Sequence, residues 1–370
     1  MDIKFKTILY VSLWPWEDLW QRPQHIAVNL SRTHNVIFTS AIPYKSKNGT
    51  LNLFNKFRVN KFSDTLQILS YFFLPSWKFP FIKNFNYNSW LNKLNTYLSN
   101  NNIEVDILWV TSPDHIIFCD KLNAKNIVYD CMDNFGMFEA RLKPLENYLF
   151  RKADIVFASA KLLVDNARSF NNNVHLIPNA VDVDVFNSVL SNEHSIPEDL
   201  IGIPNTKIGF YGNLGTWLDY SVISEISNLE GISIVLIGSI NSAEARNLIN
   251  HESVYYIGEK EYRDLPNYLA NINVWILPFQ DNELTRAVDP VKIYEYLAAG
   301  RDVISTPLPA INQHSEFIHI CSPLDFPSKV LDAINNPKTY DQRMKASLLM
   351  KKHTWESRVN DITFILNHIE

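Results

Sequence analysis

Short apolar runs rich in Ile, Val, Phe and Tyr recur along the chain, with helix-period stretches between them. In the first half they are "TILYVSL" (7–13), "NVIFTS" (35–40), "DILWVTS" (106–112), "NIVYDCM" (126–132), "DIVFASA" (154–160) and "VHLIPN" (174–179). A second set follows: "KIGFYGN" (207–213), "SIVLIGS" (233–239), "SVYYIGE" (253–259), "NVWILPF" (273–279), "DVISTP" (302–307) and "FIHICS" (317–322). Buried strands alternating with helices are the mark of βα units in a mostly parallel sheet. The pattern predicts an α/β chain of two successive Rossmann-like domains, 1–182 and 183–354. Between them, "NAVDVDVFNSVLSNEHSIPEDLIGIPN" (179–205) loses both periods and accumulates Pro and Asn, as a linker does. After residue 354, apolar positions at Trp355, Val359, Ile362, Ile365, Leu366 and Ile369 form a helical stripe that must be buried somewhere.

One helix carries more than its fold requires. In "DPVKIYEYLAAG" (289–300), Asp289 suits the N-cap, Pro290 the first helical position and Gly300 the left-handed residue beyond the end. The strand "NVWILPF" precedes it, and open α/β sheets bind ligands beyond the carboxyl ends of their strands. Lys292, in the first turn, opposes the helix dipole unless an anion is present, so it reads as a phosphate contact. Glu295 stands three residues on, about 5 Å along the axis, at a reach suited to ribose hydroxyls. The competing interpretation is an ordinary i,i+3 surface ion pair.

Glycine divides the halves. Only Gly49 and Gly136 occur in the first 200 residues, so the first domain carries no dinucleotide fingerprint and no P-loop. In the second, Gly212 and Gly215 follow the first strand in "FYGNLGTW", where Gly212 and Asn213 offer backbone amides to a phosphate. Ordinary turn glycines are the alternative.

Composition excludes several classes. Of 370 residues, 46% are hydrophobic and 20% charged, ordinary for a folded chain. Cys119, Cys131 and Cys321 are far apart, and no His, Cys and Asp cluster has ligand spacing, so no metal is expected. The N-terminal apolar run is too short to span a membrane and lacks a cleavage site, which predicts a cytoplasmic chain. The net charge of −5 hides an asymmetry. Residues 1–100 carry 12 Lys and Arg against 4 Asp and Glu, whereas the remainder carries 22 against 35. A basic first quarter suits an anionic lipid surface or acceptor. The aromatic stretch "SYFFLPSWKFPFIKNFNYNSW" (70–90), with Lys78 and Lys83, fits a membrane interface or a packed insertion equally. No nucleic-acid module accompanies it.

"LTRAVDPVKIYEYLAAGRDVISTPLP" and "HLIPNAVDVDVF" resemble the donor-site helix and interdomain segment of family 4-like glycosyltransferases of the two-Rossmann (GT-B) fold. With "LWQRPQHIAVNLS", "VYDCMDNF" and "RKADIVFASAKLL", the resemblance is to the branch that builds bacterial surface polysaccharides, including teichuronic-acid-type enzymes, and it covers nearly the whole chain. It implies two domains facing a central cleft and a hexosyltransferase-type enzyme. The sugar would pass from a nucleotide-sugar donor to a lipid-linked or oligosaccharide acceptor, with no other cofactor. Glu295 would hold the ribose, as second member of a Glu-x7-Glu pattern whose first member is here Ala287. That departure weakens an expectation of retained anomeric configuration, with Glu283 and Asp289 as nearby substitutes. Arg286 would join Lys292 at the departing diphosphate. Asp133, ahead of Asp130, would orient or deprotonate the acceptor, and Arg22 and His25 after strand one would meet donor phosphate or acceptor. Residues 355–370 would pack back on the first domain. A nucleotide-sugar epimerase and a non-catalytic sugar-nucleotide scaffold remain as alternatives.

Overall fold

The computed structural model describes residues 6–17, 20–43, 57–74, 80–191 and 194–368. The chain divides into two compact units, Met1–Pro178 with Val359–Glu370, and Asn179–Arg358.

Unit one is built on a sheet of eight strands among the described residues. These are β1 (Thr7–Ser12), β2 (Asn35–Pro43), β3 (Phe57–Lys61), β4 (Leu66–Phe73), β5 (Val105–Val110), β6 (Ala124–Cys131), β7 (Ile155–Ala158) and β8 (Val174–Leu176). Their spatial order is β3-β4-β2-β1-β5-β6-β7-β8, parallel except for the antiparallel edge pair β3 and β4. Ile8 to Val11 of β1 are wholly buried, as expected of a central strand covered on both faces.

Unit two has β9 (Thr206–Tyr211), β10 (Ile232–Ile237), β11 (Val254–Tyr256), β12 (Val274–Leu277), β13 (Asp302–Ser305) and β14 (His319–Ile320). All are parallel, in the order β11-β10-β9-β12-β13-β14. This is the doubly wound arrangement, in which the winding reverses between β9 and β12 and leaves a crevice beyond their carboxyl ends.

The structure bears on three sequence expectations. The aromatic stretch contains the end of β4 and the start of a 21-residue helix, Pro80–Asn100. There Tyr71 stacks on Trp90 at 6.3 Å, Phe73 and Tyr87 meet the same ring edge-on or tilted, and Trp90 Nε1 donates to Thr39 Oγ1 at 3.0 Å. Tyr71 and Trp90 are core, with Phe73 and Tyr87 half-buried against them. Phe81 and Phe85 of that helix are exposed, Lys83 pairs with Asp114 at 2.7 Å, and Lys78 lies outside the described residues. The supposed linker holds a helix, Val183–Ser191, whose Phe186 is fully buried in the core of unit two. Finally, the last helix, Trp355–Leu366, is shared: its residues through Arg358 belong to unit two, and those from Val359 to unit one. Val359, Ile362 and Leu366 are buried, and Lys6 Nζ donates to Leu366 O at 3.2 Å.

Candidate active site

Tyr211 is the last residue of β9, at the crevice end of the sheet. The chain turns at Gly212, whose φ of +138° is strained for any side chain. A Cβ on Gly238 would stand 1.9 Å from Gly212 O, so the loops after β9 and β10 touch backbone to backbone. Gly212 N donates to Ile237 O at 2.9 Å and Leu214 N to Ser239 O at 2.8 Å. The expectation that the Gly212 amide cradles a phosphate is thereby corrected, because that donor is already used. The glycine instead leaves room, since a Cβ there would lie 3.2 Å from Lys292 Cε.

The signalled helix is Val291–Ala298, and its N-cap is Pro290 rather than Asp289. Asp289 is buried and serves elsewhere: its carboxylate accepts from Asn179 N at 2.6 Å and from Tyr294 Oη at 3.0 Å. At the other end Gly300, φ +61°, donates to Leu297 O while Arg301 N donates to Tyr296 O, a Schellman closure. Between them Glu295 is 3% exposed. Tyr211 Oη donates to its Oε2 at 2.6 Å, and among the described residues Oε1 has no hydrogen-bond partner. Burial pushes the Glu295 carboxyl up, against the opposing pull of Lys292 and Tyr211. Lys292 is half-buried with its Nζ 5.9 Å from the centre of the Tyr211 ring. Tyr211 thus joins the two signalled residues, holding the carboxylate with its hydroxyl and facing the ammonium with its ring.

The remaining second-unit candidates lie on the surface or in the core. Arg286 is exposed and pairs with Asp281 at 2.7 Å. Glu283, also exposed, opens the short helix Glu283–Arg286, and Pro290 is buried. Asn213 Oδ1 accepts from Asn241 Nδ2 at 2.8 Å. Ala287 is wholly buried. Neither nearby carboxylate takes the place of a carboxylate there, for Asp289 is committed and Glu283 is in solvent.

In unit one Arg22 and Asp130 are partners, not independent groups. Arg22 Nη2 and Nε both reach Asp130 Oδ1, at 2.8 and 3.0 Å, and Nη1 donates to Ile177 O at 2.8 Å. Arg22 is 3% and Asp130 0% exposed, so the pair is a buried strut. The expected roles of Asp130 as base and Arg22 as phosphate contact give way to this fork. His25 is buried edge-on against Trp20, and desolvation pushes its imidazole down to about 3, which keeps it neutral. Asp133 differs. It is half-buried just beyond β6, and desolvation, with the Glu146 charge adding, pushes its carboxyl up to about 7. Glu146 is itself buried and accepts from Tyr129 Oη at 2.9 Å.

No family model matches the chain. It is 24% identical over 264 residues, 64% of its length, to the Bacillus subtilis (strain 168) protein named "Putative teichuronic acid biosynthesis glycosyltransferase TuaH". The match spans 66% of that relative, just under two thirds. Among solved structures it is similar to sucrose-phosphate synthase from Thermosynechococcus elongatus, with TM-score 0.75, 10% identity and 98% of each chain covered. It is also similar to Anabaena HepE in complex with UDP and glucose, with TM-score 0.68, 11% identity and 98% and 99% of the two chains covered. The chain has the GT-B fold.

Within this GT-B chain two participants escaped the sequence reading. Tyr211 looked like one more apolar strand residue, and only its place immediately before a glycine at a strand end marked it. Glu146 sits mid-helix in "LKPLENYLF", where nothing local distinguishes it from a solvent-facing glutamate. Among the described residues no three His, Cys, Asp or Glu side chains converge to hold a metal ion.

Proposed function

We propose that this chain is a glycosyltransferase that moves a sugar from a nucleotide-sugar donor to a lipid-linked saccharide of a bacterial surface polysaccharide. The observation that carries the reading is Glu295. A buried carboxylate, with one oxygen fixed by Tyr211 and the other unshared, stands at the crevice end of a doubly wound unit beside a lysine that faces a glycine. Glu295 Oε1 accepts from a ribose hydroxyl, and Lys292, in the first helical turn, meets the diphosphate. The acceptor hydroxyl attacks the anomeric carbon and gives its proton to the Asp133 carboxylate, while the carbon–oxygen bond to phosphate breaks. The diphosphate leaves with the bonding pair, and Lys292 offsets its charge. A base with pKa near 7 is half-ionised at neutral pH and strong enough to accept that proton. Likeness to HepE, solved with UDP and glucose, and to the Bacillus subtilis relative supports the donor and acceptor classes. Among the described residues no helix is long and apolar enough to cross a membrane, and the basic first quarter suits the anionic inner face of one.

The test is incubation of the full chain with radiolabelled nucleotide sugars and a lipid-linked saccharide. Label transfer supports the proposal. An isomerised donor would identify an epimerase, and binding without turnover a scaffold. A thermal-shift panel of UDP, GDP, dTDP and ADP identifies the base, since a ligand bound only by the native state raises its melting temperature.

A further inference from the structure

A cavity of about 350 Å³ opens at the amino ends of β9, β12 and β13, lined in part by Thr206, Asn273, Arg301, Asp302, Lys338 and Arg343. It stands at the opposite end of the sheet from Tyr211. The 6 residues of β9 separate the two, roughly 17 Å at about 3.3 Å per step. Three cations face one carboxylate there.

Part of that charge has a structural use. Arg343 Nε donates to Gly300 O at 3.0 Å, and Lys338 Nζ donates to Arg301 O at 3.0 Å and to Phe317 O at 2.7 Å. The bonds to Gly300 O and Arg301 O lie just past the carbonyl end of the helix Val291–Ala298, where positive charge suits the dipole, and the bond to Phe317 O ties Lys338 to the segment before β14. They do not account for the rest. Arg301 Nη2 donates to Ile272 O at 2.6 Å, but its Nε is fully buried with no acceptor. Both terminal nitrogens of Arg343 also lack an acceptor among the described residues. Asp302 offsets part of this charge: its Oδ1, which has no hydrogen bond, lies 3.9 Å from Lys338 Nζ, and its Oδ2 accepts from Lys338 N at 3.3 Å, which leaves three cations against one carboxylate.

The cations work against one another. Burial pushes the Arg301 guanidinium down to about 10, and Arg343 lowers it further than Asp302 restores it. Lys338 is pushed down to about 8, mainly by burial, with Asp302 opposing the shift and Arg301 and Arg343 adding to it. Like charges held together in a partly desolvated cavity, with donors left over, are the complement of a multiply charged anion.

We propose that this cavity is a second ligand site, separate from the donor crevice, that binds a phosphoryl group. Two guanidiniums with unshared N–H groups match phosphate geometry, which a single carboxylate or chloride would not fill. The volume is at the small end of ligand pockets, enough for free phosphate or a phosphorylated sugar. This inference goes beyond the proposed transferase activity and stands if that activity fails.

Isothermal titration calorimetry on the full chain tests it, with inorganic phosphate and a hexose 6-phosphate as probes at constant ionic strength. Wild type should bind saturably, this binding should persist in Lys292→Ala even if the donor helix takes a second phosphate, and Arg343→Gln should weaken it about tenfold or more. Tighter binding of the hexose phosphate assigns the site to a phosphorylated sugar, and equal binding assigns it to phosphate. If circular dichroism shows that Arg343→Gln does not fold, Lys338→Met replaces it with the same expectation. No saturable binding to wild type overturns the proposal. So does binding lost in Lys292→Ala but kept in Arg343→Gln, because the anion would then sit at the donor helix.

Discussion

Replacing Asp133 with Asn should make the protein more stable at pH 8 while removing the transferase activity proposed for it. The folded carboxyl titrates at about 7 against a reference of 3.8, raised first by desolvation and then by the charge of Glu146. The folded state therefore binds more protons than the unfolded state between these values, and stability falls as pH rises through the window. The unfavourable contribution is on the order of 2 kcal/mol at pH 5 and on the order of 4 kcal/mol at pH 8. Asparagine has the same shape and does not titrate. Its advantage over wild type should grow by up to about 2 kcal/mol between pH 5 and 8. Urea unfolding of both proteins at four pH values measures this directly. An advantage that stays constant with pH would refute the desolvation argument. Activity supplies an independent check: wild-type transfer should rise between pH 6 and 8, and the variant should lose about 10²- to 10⁴-fold. Full activity in Asp133→Asn would sink the base assignment whatever the stability shows.

Glu295→Ala should weaken nucleotide binding by about 1.5 to 3 kcal/mol, the value of a charge-assisted hydrogen bond, and unchanged affinity by calorimetry would count against the ribose role. Arg22→Met strands the buried Asp130 carboxylate and should cost about 3 to 5 kcal/mol in urea unfolding; a loss below about 1 kcal/mol would show that water reaches the pair. Gly238→Ala, at φ +129° with its new Cβ 1.9 Å from Gly212 O, should collapse nucleotide binding and lower the melting temperature, and a native-like variant would contradict the loop contact. Truncation after Lys352 removes the buried Val359, Ile362 and Leu366, so unit one should bind a hydrophobic dye; no increase in dye fluorescence would show that the helix leaves no apolar surface behind.

The strands were legible where they are buried on both faces, because such strands read as plain apolar runs. β4 was not, since "LQILSYFF" runs into aromatics whose helix partner carries asparagine on every side and shows neither period. The helix Val291–Ala298 announced itself through Pro290, Lys292, Glu295 and Gly300, all local signals. Its N-cap was misassigned because Asp289 answers to Asn179, 110 residues away, and propensity gives no account of such a partner. Arg22 and Asp130 are 108 residues apart in the chain. Each looked like a site residue alone, and only the fold reveals that they satisfy each other.

Asp130 and Asp133 show how far three residues of separation can divide the same side chain. Asp130 lies in β6, where a guanidinium and full burial bind it into the structure. The strand ends at Cys131, and Asp133 falls just past it, within the influence of Glu146 and, among the described residues, without a cation to stabilise its ionised form. A carboxylate held by a buried arginine is a poor base, because giving up the negative charge would leave the arginine unpaired. A carboxylate whose ionisation is opposed by burial and a like charge holds its proton readily at neutral pH, which is the property proton transfer from a sugar hydroxyl requires. The motif "YDCMDNF" therefore divides its labour by the end of a strand: the first aspartate fixes the frame from which the second can act.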